Sequence, residues 1–331
     1  LAVTAAQVKQ AKLALTEKRL KAINTAYTHI KSFHSAQTQE DVFVETCPGV
    51  RFTLKTEAIE SVGLYIPAGS APLPSTVLML GVPAQLTGCK RTVLVCPPNK
   101  NGQLANEVLV AAGLCGITEI YTIGGAQAIA ALAYGTESIA PVNKVFGPGN
   151  RYVTEAKKQL SQQVAGFTID MPAGPSEVLV IADEKANPAF IAADLLSQAE
   201  HGADSQVILL TDCESLIGKV SLELNKQVAV LSRREIAEKA LKQSRLILTK
   251  DLTQAVDVSN CYGPEHLIIQ TENPHALLTN LRNAGSIFVG AYTPESAGDY
   301  ASGTNVSYTH RTRRTRGSGW FRAVPGSQQN K

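Results

Sequence analysis

Thr92-Val93-Leu94-Val95-Cys96, Leu104-Ala105-Asn106-Glu107-Val108-Leu109-Val110-Ala111-Ala112-Gly113-Leu114 and Glu119-Ile120-Tyr121-Thr122-Ile123 follow one another along the chain. The outer runs are short and rich in β-branched or aromatic residues, as strands are. The middle run is longer and built of helix formers. A strand, a helix and a strand in that order make the crossover that joins parallel neighbours in a sheet. The rhythm extends both ways. Upstream lie a strand at 62–66 and a helix at 75–86; downstream lie a helix at 126–132 and a strand at 144–146 that runs into Gly147-Pro148-Gly149-Asn150.

After Asp170-Met171-Pro172-Ala173-Gly174-Pro175 the alternation resumes, with strands expected at 177–182, 207–211, 246–249, 266–270 and 286–289. Helices are expected at 188–199, 216–224, 234–242 and 275–282. The fold class is therefore α/β, with two similar doubly wound parallel-sheet units and the Gly-Pro segment as hinge and cleft wall. Ahead of them, Val8, Leu13, Leu15, Leu20, Ile23, Tyr27 and Ile30 have helical spacing, so one amphipathic helix is expected over 5–33. An extended pair at 42–46 and 51–54 turns at Cys47-Pro48-Gly49. Residues 297–305 read as an ordered functional loop, and 306–331 as disordered because they lack any periodicity.

A chain of 331 residues with 44% hydrophobic content can form about two domains. Its net charge of +3 comes from the tail, where residues 306–331 hold five Arg, one Lys and no acid. Residues 1–305 carry 25 basic and 28 acidic side chains, which argues against a nucleic-acid-binding body. No apolar run approaches the roughly 20 residues of a membrane span. Six cysteines, none in CxxC spacing, read as buried thiols of a cytoplasmic protein. The chain begins at Leu1, which reads as a processed or partial product.

Few residues carry chemistry. Gly263-Pro264-Glu265-His266 sets an acid beside an imidazole where a Gly-Pro corner enters an apolar strand at the end of a sheet. Such a pair can act as general base and water-activating acid, or simply pack at a strand start. Gln198 and His201 share a helix face at i,i+3 spacing, ahead of Gly202; they suit a metal or a plain helix end. Asp299, in its Gly-flanked segment, can be a third oxygen ligand or a turn residue. Gly147-Pro148-Gly149-Asn150 and Gly124-Gly125-Ala126-Gln127 are strand-to-helix turns, able to meet phosphate or ribose oxygens or to serve as tight packing. His29 and His34 read as surface positions of the first helix, and His275 as a helix start.

Taken together, the stretch Ile169-Asp170-Met171-Pro172-Ala173-Gly174-Pro175-Ser176-Glu177-Val178-Leu179-Val180 resembles the signature of the histidinol dehydrogenase family. Tyr65-Ile66-Pro67-Ala68-Gly69, the two glycine turns, residues 197–202, residues 263–266 and residues 295–305 resemble that family in order. The resemblance implies a zinc-containing homodimer that oxidises L-histidinol to L-histidine through an enzyme-held aldehyde, reducing two NAD in turn. It implies His266 as the base of both oxidations and Glu265 as activator of the hydrating water. Gln198, His201 and Asp299 match zinc ligands and, with Ser176 and His266, the substrate site; Tyr65, Gln127 and Asn150 match NAD contacts. It further implies two Rossmann-like domains flanking a cleft. Residues 1–64 with 176–305 would form the first, with zinc and catalytic residues, and 65–175 the second, inserted in it; 306–331 would be an aberrant tail.

The resemblance stops at Asn305. The family has His at the next position, where this chain has Val306. The family also continues into small helical domains that supply another Glu and a fourth zinc ligand from the partner subunit, and these are absent here. An abrupt passage into Arg-rich sequence is what a shifted reading frame produces. The expectation for the chain as written is sub-stoichiometric zinc, near-zero turnover and exposed apolar dimer surface.

Overall fold

The computed structural model describes residues 2–38, 40–68, 72–170 and 175–300, with backbone alone at 299–300 and 322–323. The chain divides into two compact units, built mainly from residues 1–173 and 174–299.

In the first unit, α1 (Ala5–Ala14) and α2 (Glu17–Ser35) replace the single helix expected over 5–33. Thr16 makes the break. Its backbone is extended and its hydroxyl accepts from Arg19 N at 3.4 Å, capping a new helix. Thr4 caps α1 in a reciprocal box with Gln7. His34, expected at the surface, is buried: its Nδ1 meets Gln37 Oε1 at 2.8 Å, and burial holds its pKa below the usual imidazole value. β1 (Val42–Cys47) and β2 (Val50–Leu54) form the expected antiparallel hairpin, and β3 (Glu57–Ala58) follows.

The alternating region then gives β4 (Ser61–Tyr65), α3 (Pro74–Thr87), β5 (Arg91–Val95), α4 (Asn106–Leu114) and β6 (Glu119–Tyr121). It continues through α5 (Ala126–Tyr134), β7 (Lys144–Phe146), α6 (Arg151–Gln163) and β8 (Thr168–Ile169). The five strands are parallel in the order β6-β5-β4-β7-β8. Building runs outward from β4 on one side and then resumes at β7 on the other, so the switch point lies between these two strands. α3 is apolar all round and ten of its residues are buried, because α2 covers the side turned away from the sheet. α1 packs in the same way on α4. Residues 1–64 pack with 65–173 in one compact unit.

The second unit repeats the plan with β9 (Glu177–Ala182), α7 (Pro188–Ala199), β10 (Gln206–Thr211), α8 (Glu214–Val228), α9 (Arg234–Gln243) and β11 (Arg245–Leu248). α10 (Leu252–Tyr262), β12 (His266–Gln270), α11 (His275–Leu278), β13 (Ser286–Val289) and α12 (Glu295–Tyr300) complete it. The parallel order is β11-β10-β9-β12-β13, the same topology as the first sheet. β9 and β12 are buried along their whole lengths, with Leu179, Ile181, Leu267 and Ile269 in the core. A short β14 (Arg322–Ala323) pairs with β3. The functional loop expected over 297–305 begins as α12; its remainder, like most of the tail, lies outside the described residues. Of the cysteines, Cys96 and Cys115 are buried as expected, whereas Cys47 and Cys261 are exposed.

Candidate active site

Two groups of expected site residues lie at different edges of the two sheets. In the second unit they gather at the amino edge. His266 is the first residue of β12 and Ser176 immediately precedes β9. α7 follows β9 and runs back against it, so its last turn returns Gln198, and the turn after it His201, to the same edge. The carboxyl ends of the strands, where open α/β sheets usually hold ligands, lie at the opposite edge.

The His266 ring is buried and held from several directions. Its Nδ1 lies 2.8 Å from the Glu177 carbonyl oxygen and 3.4 Å from Gln198 Nε2. The carbonyl, the shorter contact and a pure acceptor, takes the Nδ1 hydrogen, which leaves the basic lone pair on Nε2. Nε2 stands 3.9 Å from Glu295 Oε1, and Glu265 Oε2 is 3.7 Å from Nδ1. Two buried carboxylates therefore flank the imidazole. Such an arrangement can serve as a general base with an oriented ring and a second acidic group at hand.

Gln198 is 1% exposed, and among the described residues its Oε1 has no hydrogen-bond partner. A buried carbonyl oxygen left without a donor is costly unless something electropositive meets it, so it fits a metal ligand. His201 is exposed, and its Nδ1 lies 2.8 Å from the Ser197 carbonyl, which orients the ring and presents Nε2, as metal-binding imidazoles are commonly held. These two residues fit zinc. Asp299 is helical, in α12, rather than in a loop, and its side chain lies outside the described residues. Among the described residues, no three His, Cys, Asp or Glu side chains stand together as a ready metal group.

The sequence reading missed Glu295. It sits in the first turn of α12, four residues before Asp299, and is buried beside His266. The sequence offered no signal for it, since α12 is short and His266 lies on another element. It also missed Asp194, one turn before Gln198 on α7. Asp194 Oδ2 accepts from Gln270 Nε2 at 2.6 Å, and burial pushes its pKa up to about 6.

In the first unit the expected residues lie at the carboxyl edge of the sheet. Tyr65 ends β4, and its hydroxyl accepts from Gly125 N at 3.1 Å, tying the strand to the turn before α5. Burial pushes the Tyr65 phenol up. Gln127 is exposed in the first turn of α5, which starts at Gly125 with no side-chain cap. Asn150 is exposed and caps α6, its Oδ1 accepting from Tyr152 N and Val153 N at 3.0 and 3.2 Å. The first-turn amides of α5 are thus better placed to meet phosphate than those of α6.

The histidinol dehydrogenase family model matches residues 1–318. Histidinol dehydrogenase of Colwellia psychrerythraea is 83% identical over 305 residues, which is 92% of this chain and 70% of the relative. The Yersinia pestis enzyme of the same name is 59% identical over 303 residues, 92% of this chain and 68% of the relative. The crystal structure of histidinol dehydrogenase from Elizabethkingia anophelis superposes with a TM-score of 0.89 at 48% identity, covering 92% of this chain and 70% of that one. The chain belongs to the histidinol dehydrogenase family.

Proposed function

We propose that this chain carries out the NAD-dependent, four-electron oxidation of L-histidinol to L-histidine through L-histidinal, with zinc at the substrate site. Family membership already makes it an oxidoreductase of histidine biosynthesis. The observation that carries the finer reading is the His266 ring, fixed through Nδ1 and set between Glu265 and Glu295 beside Gln198.

His266 Nε2 takes the hydroxyl proton of the alcohol as the carbinol hydrogen leaves as hydride. After hydration of the aldehyde, the same nitrogen takes the proton of the hydrate in the second oxidation. Glu265 accepts a proton from the water that adds to the aldehyde. Tyr65, Gln127 and Asn150 are the proposed contacts for NAD, which would supply the hydride acceptor for each oxidation. Gln198, His201 and Asp299 would hold zinc, which supplies a Lewis-acid anchor for substrate nitrogens. Ser176, at the amino end of β9, is a proposed substrate contact.

We place the protein in the cytoplasm and as a homodimer. Free cysteines support the first. The exposed apolar row Val42, Val44, Phe52 and Leu54 on one hairpin face supports the second, since a two-stranded hairpin needs cover. No described helix is long and apolar enough to cross a membrane. The test is NADH formation from L-histidinol with excess zinc. Turnover without NAD would instead indicate a hydrolase.

A further inference from the structure

A buried ion pair in the first unit grips a single glycine. Lys157, on α6, is 1% exposed and pairs with Asp170, which follows β8. Lys157 Nζ donates to the Gly147 carbonyl at 2.9 Å, and Gly147 N donates to Asp170 Oδ2 at 2.8 Å. Both polar groups of one residue are thus tied to the two halves of one salt bridge. The backbone explains how they reach. Helical side chains lean towards the helix start, so Lys157 extends back two turns past Asn150. Asp170 N bonds the Val145 carbonyl at 3.0 Å, continuing the β7–β8 ladder and setting its carboxylate beside Gly147.

Gly147 resists substitution by any residue with a side chain. Its φ is +131°, and a Cβ there would collide with the Tyr65 carbonyl oxygen. The glycine is pressed against the end of β4 on one side and fixed by the ion pair on the other. Three residues later Asn150 caps α6. A buried ion pair contributes little net stability, because desolvating two charges offsets their attraction, and an apolar pair of similar volume often serves as well. Stability alone does not account for it.

We propose that Lys157 and Asp170 are positioning residues, which hold the Gly147–Asn150 turn in the one geometry that receives the dinucleotide. The inference rests on the reading of Asn150 as a cofactor contact.

The test uses the full chain and reads NAD and L-histidinol binding separately by calorimetry, with thermal melts alongside. Lys157→Met alone leaves a buried unpaired carboxylate and can unfold the protein. The informative variant is therefore Lys157→Met with Asp170→Asn, which removes both charges, keeps an oxygen for Gly147 N and releases the Gly147 carbonyl. Its melting temperature is expected to stay near that of the parent while NAD binds about tenfold more weakly, as small misplacements at a site do. L-histidinol binding is expected to be unchanged. Parental NAD affinity in this variant, with Asn150→Ala weakened, overturns the clamp alone. Parental affinity in Asn150→Ala overturns the cofactor reading of the turn, and the clamp with it. A parent chain that binds no NAD overturns the proposed function itself.

Discussion

Asp194 carries a cost that a single substitution should remove. Its carboxylate is buried on α7 with one hydrogen bond, from Gln270, and its pKa stands at about 6 against 3.8 for an ordinary aspartate. The folded protein therefore binds this proton more tightly than the unfolded chain does. Stability contributed at this site is greatest below pH 3.8 and falls as pH rises through about 6, above which the loss is complete. Each pKa unit corresponds to about 1.4 kcal/mol, so the full cost near neutrality is about 3 kcal/mol. Asp194→Asn keeps an oxygen to accept from Gln270 and carries no charge at any pH. It should stabilise the protein by up to about 3 kcal/mol near neutrality, with the gain fading to nothing as pH falls below the ordinary aspartate value. Urea unfolding across a pH series measures this directly. A variant less stable than the parent at neutral pH, or a gain that does not vary with pH, refutes the reasoning.

Three further outcomes are expected. Glu265→Gln should leave the first oxidation largely intact and slow aldehyde hydration, so NADH per histidinol falls from two towards one and aldehyde is released, as an aldehyde trap would reveal. Gln198→Leu, which fills the buried position with an apolar group, should cut zinc affinity by about tenfold or more, measured by metal content after dialysis at defined zinc; unchanged zinc content removes Gln198 from the ligand set. Gly147→Ala meets both positive φ and the Tyr65 carbonyl, so it should cost at least 1–3 kcal/mol by the usual scale of backbone strain, and a melt equal to the parent's contradicts the packing described at that turn.

Most of the fold was readable because the strands are short, β-branched and separated by helices of ordinary length. The strands at 177–182 and 266–270 coincide with β9 and β12. Elements were lost where a local signal competed with periodicity. The apolar spacing of 5–33 ran through Thr16, whose capping hydroxyl splits the helix. α10 was overlooked although Asp251 caps its start and Gly263, at φ 66°, ends it. Which helix layer an N-terminal segment covers is decided by packing, here of α1 and α2 on α4 and α3, and no local signal announces it.

At the site, Glu265, His266 and Gln198 were named from sequence, and the last two come within 3.4 Å across 68 positions. Nothing in their spacing foretold that contact; it follows from α7 returning to the amino edge beside β12. Glu295 was unreadable because its helix is short and its partner lies on another element.

The most direct test counts NADH formed from L-histidinol by the parent chain and by His266→Asn, at excess zinc and high enzyme concentration. The account requires two NADH per histidinol consumed in the parent, however slow the turnover. It also requires a loss of at least about a hundredfold in rate for His266→Asn, the scale of a removed general base. No NADH from the parent, or parental rates in His266→Asn, would contradict it.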